Sequence, residues 1–282
     1  MKPPFHNQPF NDHNQNTDDG DRHDHDHLSA EPERGPTGAR ISPRARVSTR
    51  CSLGNFVNIH DEVIIEDDAV IGNGVTLYPG TVVKSRVSIG DHGVIGRPPV
   101  LGKESTEKRA DPLPPLVLEE GVSVGAHVVI NAGTTIKKDV TVADGASVRE
   151  RCTIGPRVLV GRNVIVENDV TVGERSKIQA GTYIAAYTVL EEQVFIAPMV
   201  VTTNDNYMGR TEKRHQAKKG AYFQKGARVG GGAVILPGVV IAEETFVAAG
   251  SIVTANTEKA MLYRGAPARK IRPVNREELL ED

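Results

Sequence analysis

One stretch, VVTTNDNYMGRTEKRHQAKKGAYF, residues 200–223, gathers groups able to bind a polar molecule and move a proton. Asn204, Asp205 and Asn206 offer amide and carboxylate groups, and Arg210 and Arg214 offer guanidinium forks. His215 adds an imidazole able to take a proton near neutral pH. Such a set suits the hydroxyls and phosphates of a small molecule. It sits between segments that read as short β-strands.

Everything around it is periodic. An Ile, Leu or Val recurs every sixth residue from Ile41 to Ile95, again from Leu118 to Ile196, and again from Val229 to Val253. Four residues after these anchors stands a small or β-branched residue, as at Ala69, Thr134, Thr182 and Ala233. Even offsets put both side chains on one face of an extended chain, and the Gly, Asn and Asp between them permit a bend. Three such strands close one triangular coil, and coils stack as parallel rungs. The hexads make about ten coils in a prism ~45 Å tall. An ordinary β-sandwich is excluded, because its strands vary in length and keep no single six-residue register. The chain is therefore read as all-β, a parallel β-helix.

Composition agrees with a thin interior. Of 282 residues 38% are hydrophobic, with no Trp, six Phe and six Tyr, which is too few aromatics for a thick core. A net charge of −2 gives no bulk attraction to nucleic acid, and no apolar run approaches the roughly 20 residues needed to cross a bilayer. Cys51 and Cys152 both fall at the small inward position, about 20 Å apart along the axis, and are read as unbridged core residues. With no basic segment followed by an apolar one at the start, the expected location is cytoplasmic.

Residues 1–38, including DDGDRHDHDHL, hold too little apolar surface to order and are expected to be a disordered tail, with no metal required. Residues 39–257 form the repeat domain, interrupted by loops at 100–117 and 202–228. Residues 258–282 form a C-terminal extension whose NREELLED end suggests a short helix. The Pro-rich loop at 100–117 is either an arm toward a neighbouring subunit or a surface loop.

The hexads resemble those of the hexapeptide-repeat acyltransferases, whose fold is a left-handed parallel β-helix. The handedness comes from the resemblance alone, since the usual crossover rule would favour the right. The C-terminal half, from KIQAGTYIAAYTVLEEQVFIAPMVVTTNDNY through KGARVGGGAVILPG to AAGSIVT and RGAPARKI, is similar to the N-acetyltransferases of nucleotide-linked amino sugars. The resemblance implies a substrate set of Gln179, Tyr187, Thr203, Asn204, Asp205, Asn206, Arg210 and Arg214. Where those enzymes usually carry adjacent Asn residues after IQ, this chain has Ala180 and Gly181, which leaves the amino sugar undetermined.

The same resemblance implies acetyl-CoA as co-substrate and direct attack of an amine on the thioester, for which no enzyme nucleophile is obligatory. A pantetheine arm needs small residues beside the backbone, and its phosphates need cations. Gly231, Gly232, Gly250, Ser251 and Ala266 meet the first need; Arg264, Arg269 and Lys270 meet the second. His60, His92 and His127 occupy bends. Of these His127 is kept beside His215 as a catalytic candidate, though it lies about four coils, ~19 Å, from the loop.

A closed homotrimer with sites between subunits is implied, in which one copy's loop completes another's site. The partners expected are acetyl-CoA and a small amino acceptor, with no nucleic acid and no membrane insertion. Acylation of a small amino acid such as tetrahydrodipicolinate shares the fold and donor, and a non-catalytic scaffold shares the fold. A carbonic anhydrase would normally need two His five residues apart within the repeats, and none are.

Overall fold

A computed structural model describes residues 37–103, 105, 112–213 and 217–280. The tail through residue 36, and with it the expectation of disorder there, lies outside the described residues, as do Arg214 and His215.

Each hexad folds into a short strand and a corner. Most corners place one residue at positive φ, for example Asn163 at 54°, Asp169 at 58° and Gly181 at 71°. Gly, Asn and Asp tolerate that left-handed conformation at low cost, which is why the repeat keeps them between its anchors. The strands stack into three sheets. The first runs from Arg40–Ile41 to Ile252–Val253, the second from Arg46–Val47 to Val240–Ile241, and the third from Ser52–Leu53 to Arg269–Pro273. Neighbouring rungs pair in parallel 18 residues apart, Thr76 beside Val94 and Val148 beside Val166. This parallel β-solenoid matches the left-handed β-helix that the resemblance implies.

Among the described residues the sheets hold eleven, ten and twelve strands, slightly more than about ten coils would supply. Two of the additional rungs, Val201–Thr202 and Tyr222–Phe223, keep the six-residue register with anchors of unexpected type. Thr202 and Phe223 are both fully buried. The second loop therefore spans 203–221 and not 202–228, and the first spans 98–116, because Val117–Leu118 already belongs to the second sheet. The third sheet ends in an antiparallel hairpin, Met261–Arg264 with Arg269–Pro273, that the periodicity did not signal. The helix expected over 275–282 is a single 3₁₀ turn, Arg276–Glu278. Asn275 supplies no side-chain cap to it, and Leu280 N–H instead donates to Glu244 Oε1 at 3.0 Å.

Ile71, Leu77, Ile130, Ile178 and Phe223 fill the axis of the prism; burial of each contributes about 1.5–3 kcal/mol. Cys152 belongs to that core, and burial pushes its thiol up to about 12, so it stays protonated at neutral pH. Both cysteines are free. No helix among the described residues is long and apolar enough to cross a membrane.

Buried hydroxyls at the small inward position bind coil to coil. Thr134 donates to the Arg149 carbonyl at 2.6 Å, Ser176 to that of Glu191 at 2.8 Å, and Thr182 to that of Ala197 at 3.0 Å, each 15 residues ahead. Thr81 and Thr188 occupy the same position, are fully buried, and have no partner. In both, the position 15 residues ahead, Gly96 or Thr203, lies where the chain leaves the regular hexads for a loop. Thr134→Val is expected to cost about 1–3 kcal/mol, because it strands the Arg149 carbonyl and the Cys152 N–H that Thr134 Oγ accepts. Thr188→Val is expected to be neutral or stabilising, since it removes a buried group with no partner. Denaturant midpoints of the two variants check the contrast.

Candidate functional site

Both loops leave from the same corner, between the first and second sheets. The second loop is tied at its base and open at its tip. Thr203 donates to the Ile235 carbonyl from both its N–H and its Oγ, each at 3.0 Å. The Asp205 carboxylate accepts from the N–H groups of Tyr207 at 2.8 Å and Gly209 at 3.0 Å, so it folds the loop as well as facing outward. Lys219 N–H returns to the Asn204 carbonyl at 3.0 Å. Gly220 then presses so closely on the Tyr187–Thr188 peptide that any side chain there would collide with backbone. Asn206 and Arg210 stay exposed. Thus Tyr187, Thr203, Asn204, Asp205, Asn206 and Arg210 are brought to one corner.

Gln179, Gly231, Gly232, Gly250 and Ser251 stand at a different corner, between the third and first sheets. A Cβ on Gly232 or Gly250 would meet nothing within 4 Å, so both face open space. Ser251 is fully buried, and its Oγ accepts from Gly265 N–H at 3.2 Å; its hydroxyl anchors the closing hairpin instead of facing a ligand. The hairpin docks on this corner through Ile252 N–H to the Gly265 carbonyl and Ala268 N–H to the Ile252 carbonyl, at 2.9 and 2.8 Å. That brings Arg264, Ala266 and Arg269, all exposed, to the end of the glycine strip. Lys270 is held by Glu258 at 2.8 Å, and this contact raises its ammonium pKa.

His127 is also at the third–first corner, several coils below, stacked on His92 with ring centroids 5.2 Å apart. It is separated from the second loop by a change of corner as well as by height. Within one chain it and the loop do not come together.

Sequence reasoning passed over the turns between the two loops. At that corner Glu150 and Asn168 are 1% exposed. Arg149 binds Glu150 at 2.8 Å and Glu167 at 2.9 Å, and Arg151 grips Asp169 with two bonds of 2.7 Å. Burial pushes the Asp169 carboxyl up, but the bonds from Arg151 and Asn168 outweigh it and hold it below the usual carboxylate range. Burial, then Glu167, raises the Tyr183 phenol. The signal was available in the spacing: residues 18 apart stack, so Glu150, Asn168, Ala186 and Asn204 form one column up to the loop.

The described residues contain no group of three or more His, Cys, Asp or Glu placed to hold a metal ion.

Two stretches match family models, residues 151–186 that of the bacterial transferase hexapeptide, six repeats, and residues 62–79 that of the hexapeptide repeat of succinyl-transferase. No curated protein matches the chain in sequence. Among solved structures, a UDP-N-acetylglucosamine acyltransferase of Francisella novicida is 13% identical, with 85% of this chain and 72% of that one covered and a TM-score of 0.37. A hexapeptide-repeat acetyltransferase of Vibrio cholerae, complexed with acetyl-CoA, is 21% identical over 47% of this chain and 72% of its own, with a TM-score of 0.39. A maltose O-acetyltransferase of Clostridium difficile is 22% identical over 43% and 67%, with a TM-score of 0.35. Likeness of this degree assigns neither activity nor acceptor. What the matched repeats and the three stacked sheets do establish is that the chain is a hexapeptide-repeat protein.

Proposed function

We propose that the protein is a cytoplasmic acetyl-CoA-dependent N-acetyltransferase acting on the amino group of a nucleotide-linked amino sugar. One observation carries the donor half: open glycines stacked along one corner lead to a hairpin bearing the exposed Arg264 and Arg269. A long, thin ligand that ends in phosphates fits that shape and charge, with the pantetheine arm on Gly231, Gly232 and Gly250 and the phosphates at Arg264 and Arg269. The amine would attack the thioester directly while Asn204, Asp205, Asn206 and Arg210 orient the acceptor.

The two sets occupy the two corners that flank the first sheet. That sheet turns apolar side chains outward, among them Ile165 at 42% and Val201 and Ile252 at 37% exposure. Burying it between copies in a homotrimer would place the loop of one subunit against the glycine strip of the next. The catalytic roles of His127 and His215 and the positions of Gln179, Tyr187, Thr203 and Arg214 at the acceptor belong to the same proposal, with Ala266 and Lys270 at the donor.

The test is calorimetric titration with acetyl-CoA followed by a mass-spectrometric screen of nucleotide amino sugars and small amino acids. Heat on titration and a product about 42 mass units heavier, an acetyl group gained for one amine hydrogen lost to coenzyme A, are expected for an amino sugar. Acetylation confined to amino acids would favour the tetrahydrodipicolinate-like reading, and no heat would favour a scaffold.

A further inference from the structure

Between the two corners lies the outer face of the first sheet, and one hydroxyl stands on its upper half. The outward positions there pair rung to rung as Ile165, Tyr183, Val201, Val234 and Ile252. Tyr183 alone among them carries a polar side-chain atom. Gly181 precedes it by two residues and Ala185 follows it by two, so at ~3.3 Å per residue the corners stand about 13 Å apart with this residue midway. The open turns Gly232 and Gly250 precede Val234 and Ile252 in the same way. The second loop leaves after Val201–Thr202, one rung above Tyr183.

The phenol is hydrogen-bonded to Glu167, which lies at the loop's corner one rung below. That bond turns the ring toward the acceptor side. Glu167 Oε2 also accepts from Arg149 Nη1 at 2.9 Å, which fixes the carboxylate, yet its side chain is 21% exposed and so can pass a proton to water. Burial, then Glu167, raises the phenol's pKa, so the group is protonated at neutral pH. With its hydrogen committed to Glu167, its oxygen keeps a lone pair able to accept. A merely structural position on this face would be met by an aliphatic residue, as it is on the rungs above and below.

We infer that Tyr183 is a further catalytic residue, which relays the proton of the attacking amine to Glu167. This rests on the acetyl-transfer reading above and gives the proton its route. The amine nitrogen bonds to the acetyl carbon as the carbon–sulfur bond breaks. The nitrogen's proton passes to Tyr183 Oη while the phenol's own hydrogen passes to Glu167, which releases it to water. Coenzyme A leaves as the thiolate and takes a proton from solvent, so hydrogen and charge balance.

Steady-state kinetics with acetyl-CoA and the amine that gains the acetyl group test the relay. Tyr183→Phe is expected to lower kcat at least about 10²-fold, the low end for a lost proton transfer, with the acceptor KM and the acetyl-CoA Kd changed less than about threefold. Melting temperature and the mass by light scattering should stay at wild-type values, since the ring remains. Glu167→Gln is expected to lower kcat similarly, and the double variant to fall no further than either single, as for groups that act as one unit. Wild-type kcat in Tyr183→Phe, a loss confined to KM, a loss matched by unfolding or dissociation, or additive losses in the double variant would each overturn the relay, while acetyl transfer by wild type leaves the proposed function standing. If wild type acetylates no amine, both fall together.

Discussion

Replacing residues 205–219 by a two-residue Gly-Ser link is expected to lower kcat/KM for acetyl transfer by at least about 10³-fold, a loss typical of removing the groups that orient a reactant. The expectation follows from where the loop is anchored. Its flanking rungs, Val201–Thr202 and Tyr222–Phe223, pair with strands on both sides and bury Thr202 and Phe223 completely. Excision therefore leaves the prism and its oligomeric state intact, which light scattering would register. The loop's groups are assigned to the acceptor and the donor's phosphates to Arg264 and Arg269, so acetyl-CoA affinity in calorimetry should change less than about threefold. Full retention of activity would remove the acceptor role from the loop. Loss of acetyl-CoA binding as well would mean that loop and strip form one site within or between chains more tightly than their separate corners imply.

Arg149→Leu is expected to destabilise the fold by ~3 kcal/mol, near the low end of the range for stranding one partner of a buried ion pair. Glu150 has a side chain only 2% exposed, and Arg149 is its closest cation, with Arg151 at 3.9 Å and the Asn131 amide at 3.3 Å giving partial relief. That relief is why the low end applies. Removing both charges in Arg149→Leu/Glu150→Leu should recover most of the loss, because desolvation of an ion pair offsets much of its attraction. Chemical unfolding of the two singles and the double gives the coupling directly. Equal stability of the Arg149→Leu variant and wild type would mean that solvent reaches Glu150.

The periodicity made the core legible. The anchors from Ile59 to Val253 that set the hexads lie inside, and the small residues four places on complete the same interior. Two rungs escaped because their anchors were Thr202 and Phe223, types outside the Ile, Leu and Val on which the register was read. A hydroxyl fits there because Thr202 Oγ accepts from Ala185 N–H at 2.7 Å. The ring of Phe223 is buried completely in the core where the coil re-enters after the loop. The closing hairpin was invisible for a different reason. Its strand Arg269–Pro273 is exposed throughout, so no buried face imposes a hydrophobic pattern on it.

The candidate site was legible as a set of residues and not as a place. The loop residues and the glycines were both marked by composition, yet the loop between them breaks the six-residue count, so their order did not say that they stand at different corners. The ion network of Arg149, Glu150, Arg151, Glu167 and Asp169 was passed over because each residue alone reads as a solvated turn.

Sequence alone determined the repeat, because side-chain alternation and turn chemistry act over six residues and are written locally. Within an unbroken run of hexads the 18-residue spacing already tells which turns share a column, but an inserted loop changes that distance to 35 or 33, and across it only the tertiary structure decides the alignment. The alignment of both loops on one corner, and the pairing of Arg149 with Glu167 and of Arg151 with Asp169, follow from stacking.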